Sequence, residues 1–379
     1  MGLLNKMTRE FALEPNREGD PEWHHGKGFS LLNRGSFEDA LASFTKALNI
    51  DPRYATAWNN KGYTLNHLKH YDEALTCYNK ALEKQPHDAI ILTNKGDTLF
   101  NMGRITAALV CYDKALKIDP GYKIAWNNKG FILDLQGKGP EALHCYNKAL
   151  ELDPDYAIAW KNKGFLMEDM GETKEALTCY DMALAVDHSS PPPLRPEIGH
   201  EPPPVPSIEK QPQSANESTE EDMNTDLLIN KGKMLSDLGK TTDALTCFEQ
   251  ALKRDPRSAI AWNLQGDTLS IIGRYEEAIV SYDKALEIDS KDGITWNNKG
   301  DALDNLGRYE EALQSFRQAV ELNPNYGVAW NNQAFTLGNM GNTEEAVKCY
   351  DKALALNPED EIARKNKEIL LTTFLEQNP

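Results

Sequence analysis

The sequence predicts an all-α protein, an α-solenoid built in two arrays. Three observations predict it. A 34-residue pattern recurs nine times in phase, and a fixed period of this length marks stacked supersecondary units. Within each copy the apolar residues fall three and four apart, which places them on one face of a helix. One stretch, 191–224, breaks the pattern with nine prolines in 34 residues, and helix interiors cannot hold them.

The copy at 293–326, GITWNNKGDALDNLGRYEEALQSFRQAVELNPNY, shows the elements in order. A first helix is expected over Ile294 to Leu306, with Trp296, Gly300, Leu303 and Leu306 on one face. Gly307 follows, and a glycine just past a helix end can take the left-handed conformation that closes the last turn. A second helix begins near Tyr309 and buries Tyr309, Ala312, Leu313, Phe316, Ala319 and Val320. Pro324 ends it, because proline lacks the backbone donor and restricts the residue before it. One such hairpin leaves large apolar side chains uncovered, so the copies must stack.

The copies are 21–54, 55–88, 89–122, 123–156, 157–190, 225–258, 259–292, 293–326 and 327–360. Counting within the unit, positions 20 and 27 are alanine in all nine, and position 24 is always Phe or Tyr. Position 8 is glycine in eight, with Ala334 the exception, and position 4 is tryptophan in six. Small residues let neighbouring helices touch while the aromatic fills the space between them.

This pattern resembles the tetratricopeptide repeat (TPR) family, whose Trp, Leu, Gly, Tyr, Ala, Phe, Ala and Pro positions fall on Trp296, Lys299, Gly300, Leu303, Ala312, Phe316, Ala319 and Pro324. Two departures recur: lysine stands where the family prefers leucine, and leucine where it prefers tyrosine. The copies are similar to near-consensus repeats of the archaeal and bacterial type, and they cover 306 of 379 residues. The resemblance implies a right-handed TPR superhelix, a non-catalytic scaffold or adaptor role, and a concave groove lined by the first helices that binds extended peptide segments.

The domain reading follows the chain. Residues 1–20 are an N-terminal extension, in which Phe11 and Leu13 could pack on the first hairpin. Array one is 21–190, with five repeats; its first is atypical, with His24 at the tryptophan position. A proline-rich acidic linker, 191–224, is expected to be disordered; its PPPLRP and PPPVP spacings could dock an aromatic groove, but a spacer is the better reading. Array two is 225–360, with four repeats, and 361–379 holds a capping helix and tail. Ile362, Ile369, Leu370, Phe374 and Leu375 are expected to cover the last apolar face.

Composition narrows the function. A formal charge of −17 argues against a reader of nucleic-acid phosphates and against an anionic membrane surface. The six cysteines, Cys77, Cys111, Cys145, Cys179, Cys247 and Cys349, all occupy position 23, one repeat apart. That separation is about 10 Å or more, beyond disulfide reach, so they read as small half-buried side chains in a reducing compartment. The N-terminus lacks a signal-like apolar core and no window reaches the length of a membrane span, so a cytoplasmic protein is expected.

No catalytic motif is present, no cofactor is expected, and the longest stretch outside repeats is too short for a catalytic domain. His67 and His70 lie three apart, but without a third ligand they read as a surface pair rather than a metal site. The groove remains. Position 6 is asparagine in seven repeats: Asn60, Asn94, Asn128, Asn162, Asn230, Asn298 and Asn332. Asparagine is a poor helix former, so its repetition wants a reason. The row resembles the asparagine ladder in the TPR superhelix of O-GlcNAc transferase, where amides hold a peptide backbone. Bonding between repeats explains it equally well, and better explains Asn59, Asn127, Asn263, Asn297 and Asn331 at position 5. Position 9 adds Phe29, Tyr63, Phe131 and Phe165 in array one, beside Asp134, Glu168 and Asp169. Array two has Lys233, Asp267 and Asp301 there, with Asp304 nearby, so the first groove should favour apolar anchors and the second a basic or polar segment. Lys161 matches one position of the clamp by which TPR adaptors hold acidic tails, but Phe165 stands where asparagine is needed. The expected function is a protein or peptide-binding scaffold; the alternative is structural self-association through open array ends.

Overall fold

The computed structural model describes residues 18–189 and 220–377. The expected character of 1–17 and of most of the proline-rich stretch, with its PxxP spacings, lies outside the described residues. The chain divides into two compact units, Met1–Gln213 and Ser214–Pro379. Every regular element among the described residues is a helix.

The first unit holds five hairpins: α1 (Pro21–Leu32) with α2 (Phe37–Ile50), α3 (Ala55–His67) with α4 (Tyr71–Lys84), α5 (Ala89–Asn101) with α6 (Ile105–Ile118), α7 (Lys123–Leu135) with α8 (Gly139–Leu152), and α9 (Ala157–Asp169) with α10 (Thr173–Ser189). The second holds α11 (Glu220–Asp237) with α12 (Thr241–Arg254), α13 (Ala259–Ile271) with α14 (Tyr275–Ile288), α15 (Gly293–Asn305) with α16 (Tyr309–Leu322), α17 (Gly327–Asn339) with α18 (Thr343–Leu356), and a final α19 (Glu361–Gln377). The first helix of the sixth repeat extends back to Glu220, ahead of the repeat's first position at 225. Consecutive first helices touch one another, as α3 touches α5 and α15 touches α17, and second helices pack on the outside of them. The first helices thus line the inner face of each stack.

Sequence chemistry explains the hairpin. Position 15 closes the first helix in the left-handed region, with φ from 70 to 78° at eight glycines and 61° at Lys69, among the described residues the one with a side chain that adopts it. Position 8 must be small because the aromatic of position 24 lies on it: a Cβ on Gly300 would sit 2.6 Å from Phe316. Ala312, Ala319 and Phe316 are at most 1% exposed, and Leu303, the departure from the family tyrosine, is buried against Phe316, Tyr282 and Ala302.

The tryptophans tie repeats end to end. Each indole Nε1 donates to a carbonyl six residues earlier, in the turn that ends the preceding repeat: Trp58 to Pro52, Trp126 to Pro120, Trp160 to Pro154, Trp262 to Pro256, Trp296 to Ser290 and Trp330 to Pro324. The lysine at position 7 belongs to the same joint. Lys299 lies 5.3 Å from the Trp296 ring centroid and its Nζ pairs at 2.6 Å with Asp283 of the preceding repeat. Lys129 repeats both contacts with Trp126 and Asp113. A leucine could cover the ring but could not make the ion pair.

Two expectations need correction. The cysteines are buried rather than half-buried, free in the structure, and burial pushes the thiols of Cys77, Cys145 and Cys349 up to about 11. The capping helix covers the last core with Ala363 and Leu370, next to Tyr350 and Leu337. Ile362, Ile369 and Leu375 are 68%, 55% and 66% exposed. Their apolar character places them in the core by sequence alone, but α19 packs as a first helix does, with Ile362 and Ile369 at repeat positions 2 and 9.

Candidate functional site: the inner faces of the two arrays

Six asparagines of the predicted row, Asn60, Asn94, Asn128, Asn162, Asn298 and Asn332, are tied to side chains of the neighbouring repeat, a set that does not include Asn230. Position 6 donates from its Nδ2 to the preceding repeat: Asn94 to Asn59 at 3.0 Å, Asn162 to Asn127 at 3.0 Å and Asn332 to Asn297 at 3.1 Å. Asn128 donates instead to Asp97 at 2.9 Å and Asn298 to Asp267 at 2.8 Å. Within a repeat, position 5 then donates to the carbonyl of position 6, as in Asn127 to Asn128 and Asn297 to Asn298. The bonds join into relays. In the first unit Asn162, Asn127, Asn128 and Asp97 form one, and Asn94, Asn59, Asn60 and His25 another. In the second, Asn366, Asn331, Asn332, Asn297, Asn298 and Asp267 form a single line across four helices.

Burial separates the two arrays. Asn60, Asn94, Asn128 and Asn162 are 1–6% exposed, whereas Asn230, Asn298 and Asn332 are half-buried. His25 replaces asparagine at position 5 of the first repeat and accepts from Asn60 while lying 3.2 Å from the Tyr54 hydroxyl. Burial lowers its pKa, which keeps it the neutral acceptor that Asn60 requires.

Carboxylates form a second motif that the sequence reading did not decode. Where position 24 is tyrosine, its hydroxyl often donates to an acid at position 9 or 12 of the same repeat: Tyr112 to Asp97, Tyr282 to Asp267, Tyr146 to Asp134 and Tyr180 to Glu168. Asp97 is 4% exposed. Burial pushes its carboxyl up to about 7, against the Tyr112 and Asn128 hydrogen bonds that favour the charged form. Burial and the nearby Asp169 push Asp134 up to about 6, opposed by Tyr146.

The predicted aromatic anchors of array one, Tyr63, Phe131 and Phe165, are half-buried. Tyr63 packs on His67, which stacks on Phe37 at 4.9 Å; Phe131 meets Phe100 edge-on and Phe165 meets Tyr180. His67 is thus part of an aromatic cluster, not a mate of His70, whose ring lies 3.5 Å from Glu73. In array two the sequence reading missed apolar residues that stay in solvent. Phe335 at position 9 is 46% exposed, and Ile260, Ile294, Val328 and Ile362 at position 2 are 52–68% exposed. The signal was present as aliphatic residues recurring every 34 positions, but it is indistinguishable in sequence from a core stripe. Ile124, at the same position in array one, is 2% exposed.

Among the described residues no cluster of three or more potential metal ligands occurs, and no helix is long and apolar enough to cross a membrane.

Stacked helical hairpins with an inner face of first helices and a repeat-to-repeat hydrogen-bonded spine define an α-solenoid of the interaction-scaffold class. The chain belongs to the tetratricopeptide repeat family: profiles of that family match residues 28–68, 55–88, 89–122, 124–156, 145–178, 229–293, 294–326 and 327–360. No curated protein matches the sequence. Similar solved structures include the APC/C hetero-tetramer Cut9–Hcn1, at 15% identity and TM-score 0.49, covering 93% of this chain and 76% of that one. A TPR protein from Parabacteroides merdae is similar at 17% identity and TM-score 0.48, covering 74% and 97%. MamA is similar at 22% identity and TM-score 0.37, covering 42% and 94%.

Proposed function

We propose that this chain is a non-catalytic scaffold that holds extended segments of partner proteins along the inner faces of its two arrays. The observation that carries the reading is the exposure of apolar side chains on those faces. Phe335, Ile260, Ile294 and Val328 are 46–66% exposed at positions that point away from the hairpin core, and scattered apolar exposure would not recur at one repeat position. In array one Tyr63, Phe131 and Phe165 are the anchors. The buried Asn60, Asn94, Asn128 and Asn162 act beneath the groove by fixing the spacing of the repeats. Asn230, Asn298 and Asn332 are half-buried; Asn298 and Asn332 each have one N–H engaged and a second to offer a peptide carbonyl.

The test is a photo-crosslinking amino acid placed at Phe165, at Phe335 and, as a control, at Val280, which is 59% exposed on the second helix α14. In native cell extract the two groove positions should capture the same small set of proteins and Val280 should not. Equal capture from all three positions, or from none, would remove the groove reading. Self-association is a second reading, supported by Ile369 and Leu375 on α19, 55% and 66% exposed. A mass that rises with concentration and falls on Leu375→Ser would establish it.

A further inference from the structure

We propose that the inner face of the second array takes an extended segment with aliphatic side chains along one edge and, on the other edge where it crosses α13 and α15, lysine or arginine. This rests on the groove reading above and names the chemistry of the partner.

The aliphatic edge is a row. Ile260, Ile294, Val328 and Ile362 stand at the same position of α13, α15, α17 and α19, exposed by 66%, 56%, 52% and 68%. The row runs across the helices, so a chain that follows it crosses them. Seven residues further along each helix, about 10 Å away, stand Asp267, Asp301, Phe335 and Ile369. Between the two edges lies the asparagine relay. A strand laid over the relay would send alternate side chains to opposite edges, because successive residues in an extended chain point to opposite sides.

The basic edge follows from Asp301. Three aspartates share position 9: Asp97, Asp267 and Asp301. Asp97 accepts the Tyr112 hydroxyl and the Asn128 amide, and Asp267 accepts the Tyr282 hydroxyl and the Asn298 amide. Asp301 has neither kind of bond. Its repeat carries Phe316 in place of the tyrosine, and the next repeat's Asn332 donates to Asn297 instead. Its carboxylate accepts from an amide of its own helix, Asn305, at 3.4 Å. Asp304, one turn on, accepts only the Thr336 hydroxyl, at 2.6 Å. None of the ion pairs among the described residues involves Asp267, Asp301 or Asp304. Asp301 is exposed and Asp304 half-buried; partial desolvation raises both carboxyls, and Asp304 raises Asp301 further. A cation between the two offsets the repulsion between the carboxylates and favours their charged forms, and an acidic segment adds to the repulsion. Charge complementarity therefore selects a basic edge, and the aliphatic row beside it excludes a purely polar one.

Four helices about 10 Å apart span ~30 Å, which about nine extended residues cover. The probes are fluorescent peptides of that length: one alternating leucine and lysine, one with glutamate for lysine, and one with the same leucines and lysines in two blocks. Fluorescence anisotropy against the full chain should show binding of the alternating leucine–lysine peptide alone. Asp301→Asn with Asp304→Asn should weaken it at least about tenfold, the scale of a lost charge-assisted contact, and so should Ile294→Ser. Val328→Ser is the second apolar variant should Ile294→Ser melt early. Glu310→Gln with Glu344→Gln makes the same charge change on second helices and should leave affinity unchanged. Equal binding of the glutamate or block peptide, or equal loss in the two charge-matched double variants, overturns the proposal. If it is overturned while Phe165 and Phe335 still crosslink a partner, the groove reading stands and only the partner's chemistry is wrong; if crosslinking fails as well, both are.

Discussion

Asn127 is where the amide relay can be cut with the clearest consequence. It is fully buried, accepts from Asn162 at 3.0 Å and donates to Asn128 at 3.1 Å. Asn127→Ala leaves a buried donor on Asn162, itself 6% exposed, and an acceptor on Asn128, 3% exposed, without these partners. Each loss costs about 1–3 kcal/mol when the stranded group stays dry. Alanine returns about 0.7 kcal/mol as the better helix former. The net expectation is a destabilisation of about 1.3–5.3 kcal/mol, read from the denaturant midpoint of the affected repeats. Because each repeat leans on its neighbours, the transition should also broaden as the fourth and fifth repeats uncouple. Asn305→Ala is the control: it is an exposed amide bonded only within its own helix, and its replacement should be neutral or stabilising. A change below about 0.5 kcal/mol at Asn127 would refute the claim that the relay holds the stack, and would return the asparagines to the groove as ligand-binding groups.

Three further changes test other parts of the account. Lys69→Gly should stabilise by about 0.5–1 kcal/mol, since Lys69 holds φ of 61° where every other repeat has glycine; an unchanged or lower melting temperature would contradict it. Ala312→Leu should cost about 1–3 kcal/mol, because Ala312 is fully buried in the cluster of Tyr282 and Phe316; an unaltered melting curve would mean the packed face is misplaced. Asp97 has a carboxyl raised to about 7 in the fold against roughly 3.9 unfolded. Its contribution is therefore fully present below the unfolded value and is lost as pH rises through the window to about 7. Asp97→Asn keeps the acceptor oxygen that Tyr112 and Asn128 use and removes the titration. The variant's melting temperature should gain on the wild type between pH 4 and 8; a difference constant with pH would show that Asp97 is not buried as described.

How much of this was legible depends on whether the cause lay within one repeat. The hairpin did: Gly307, Phe316, Ala312 and Pro324 act on neighbours a turn or two away, so their spacing shows both helices and the break between them. The partner of each asparagine did not. Asn94 and Asn128 are the same residue at the same repeat position, yet one donates to an asparagine 35 residues back and the other to an aspartate 31 back. That choice depends on whether the preceding repeat carries Tyr63 or Asp97 at position 9, and on an offset between stacked helices that no single repeat encodes. The exposure of Ile294 was hidden for the opposite reason. An aliphatic residue on an otherwise amphipathic helix reads as core, and only the neighbouring helix shows that nothing covers it.

The end of array two shows how a repeat stops being one. Up to Lys367, the helix α19 keeps the contacts that a first helix makes with the repeat before it. Arg364 takes the tryptophan position and its guanidinium donates to the Pro358 carbonyl at 2.6 Å, the bond the indoles make elsewhere. Asn366 reaches Asn331, and Lys367 pairs with Asp351 at 2.5 Å as Lys299 does with Asp283. What has changed is the side that a following second helix would use. Glu368 stands where eight repeats have glycine. A carboxylate there would occupy the ring space that Gly300 leaves to Phe316, and it would have to be buried without a cation at a cost of several kcal/mol. An aromatic second helix therefore cannot close on α19. The same substitution leaves positions 2 and 9 untouched, so Ile362 and Ile369 extend the groove by one helix beyond the last full repeat. Glu368→Gly would remove that barrier and make no new hydrogen bond, and so it should leave the fold intact while enlarging the apolar surface that a second copy could cover.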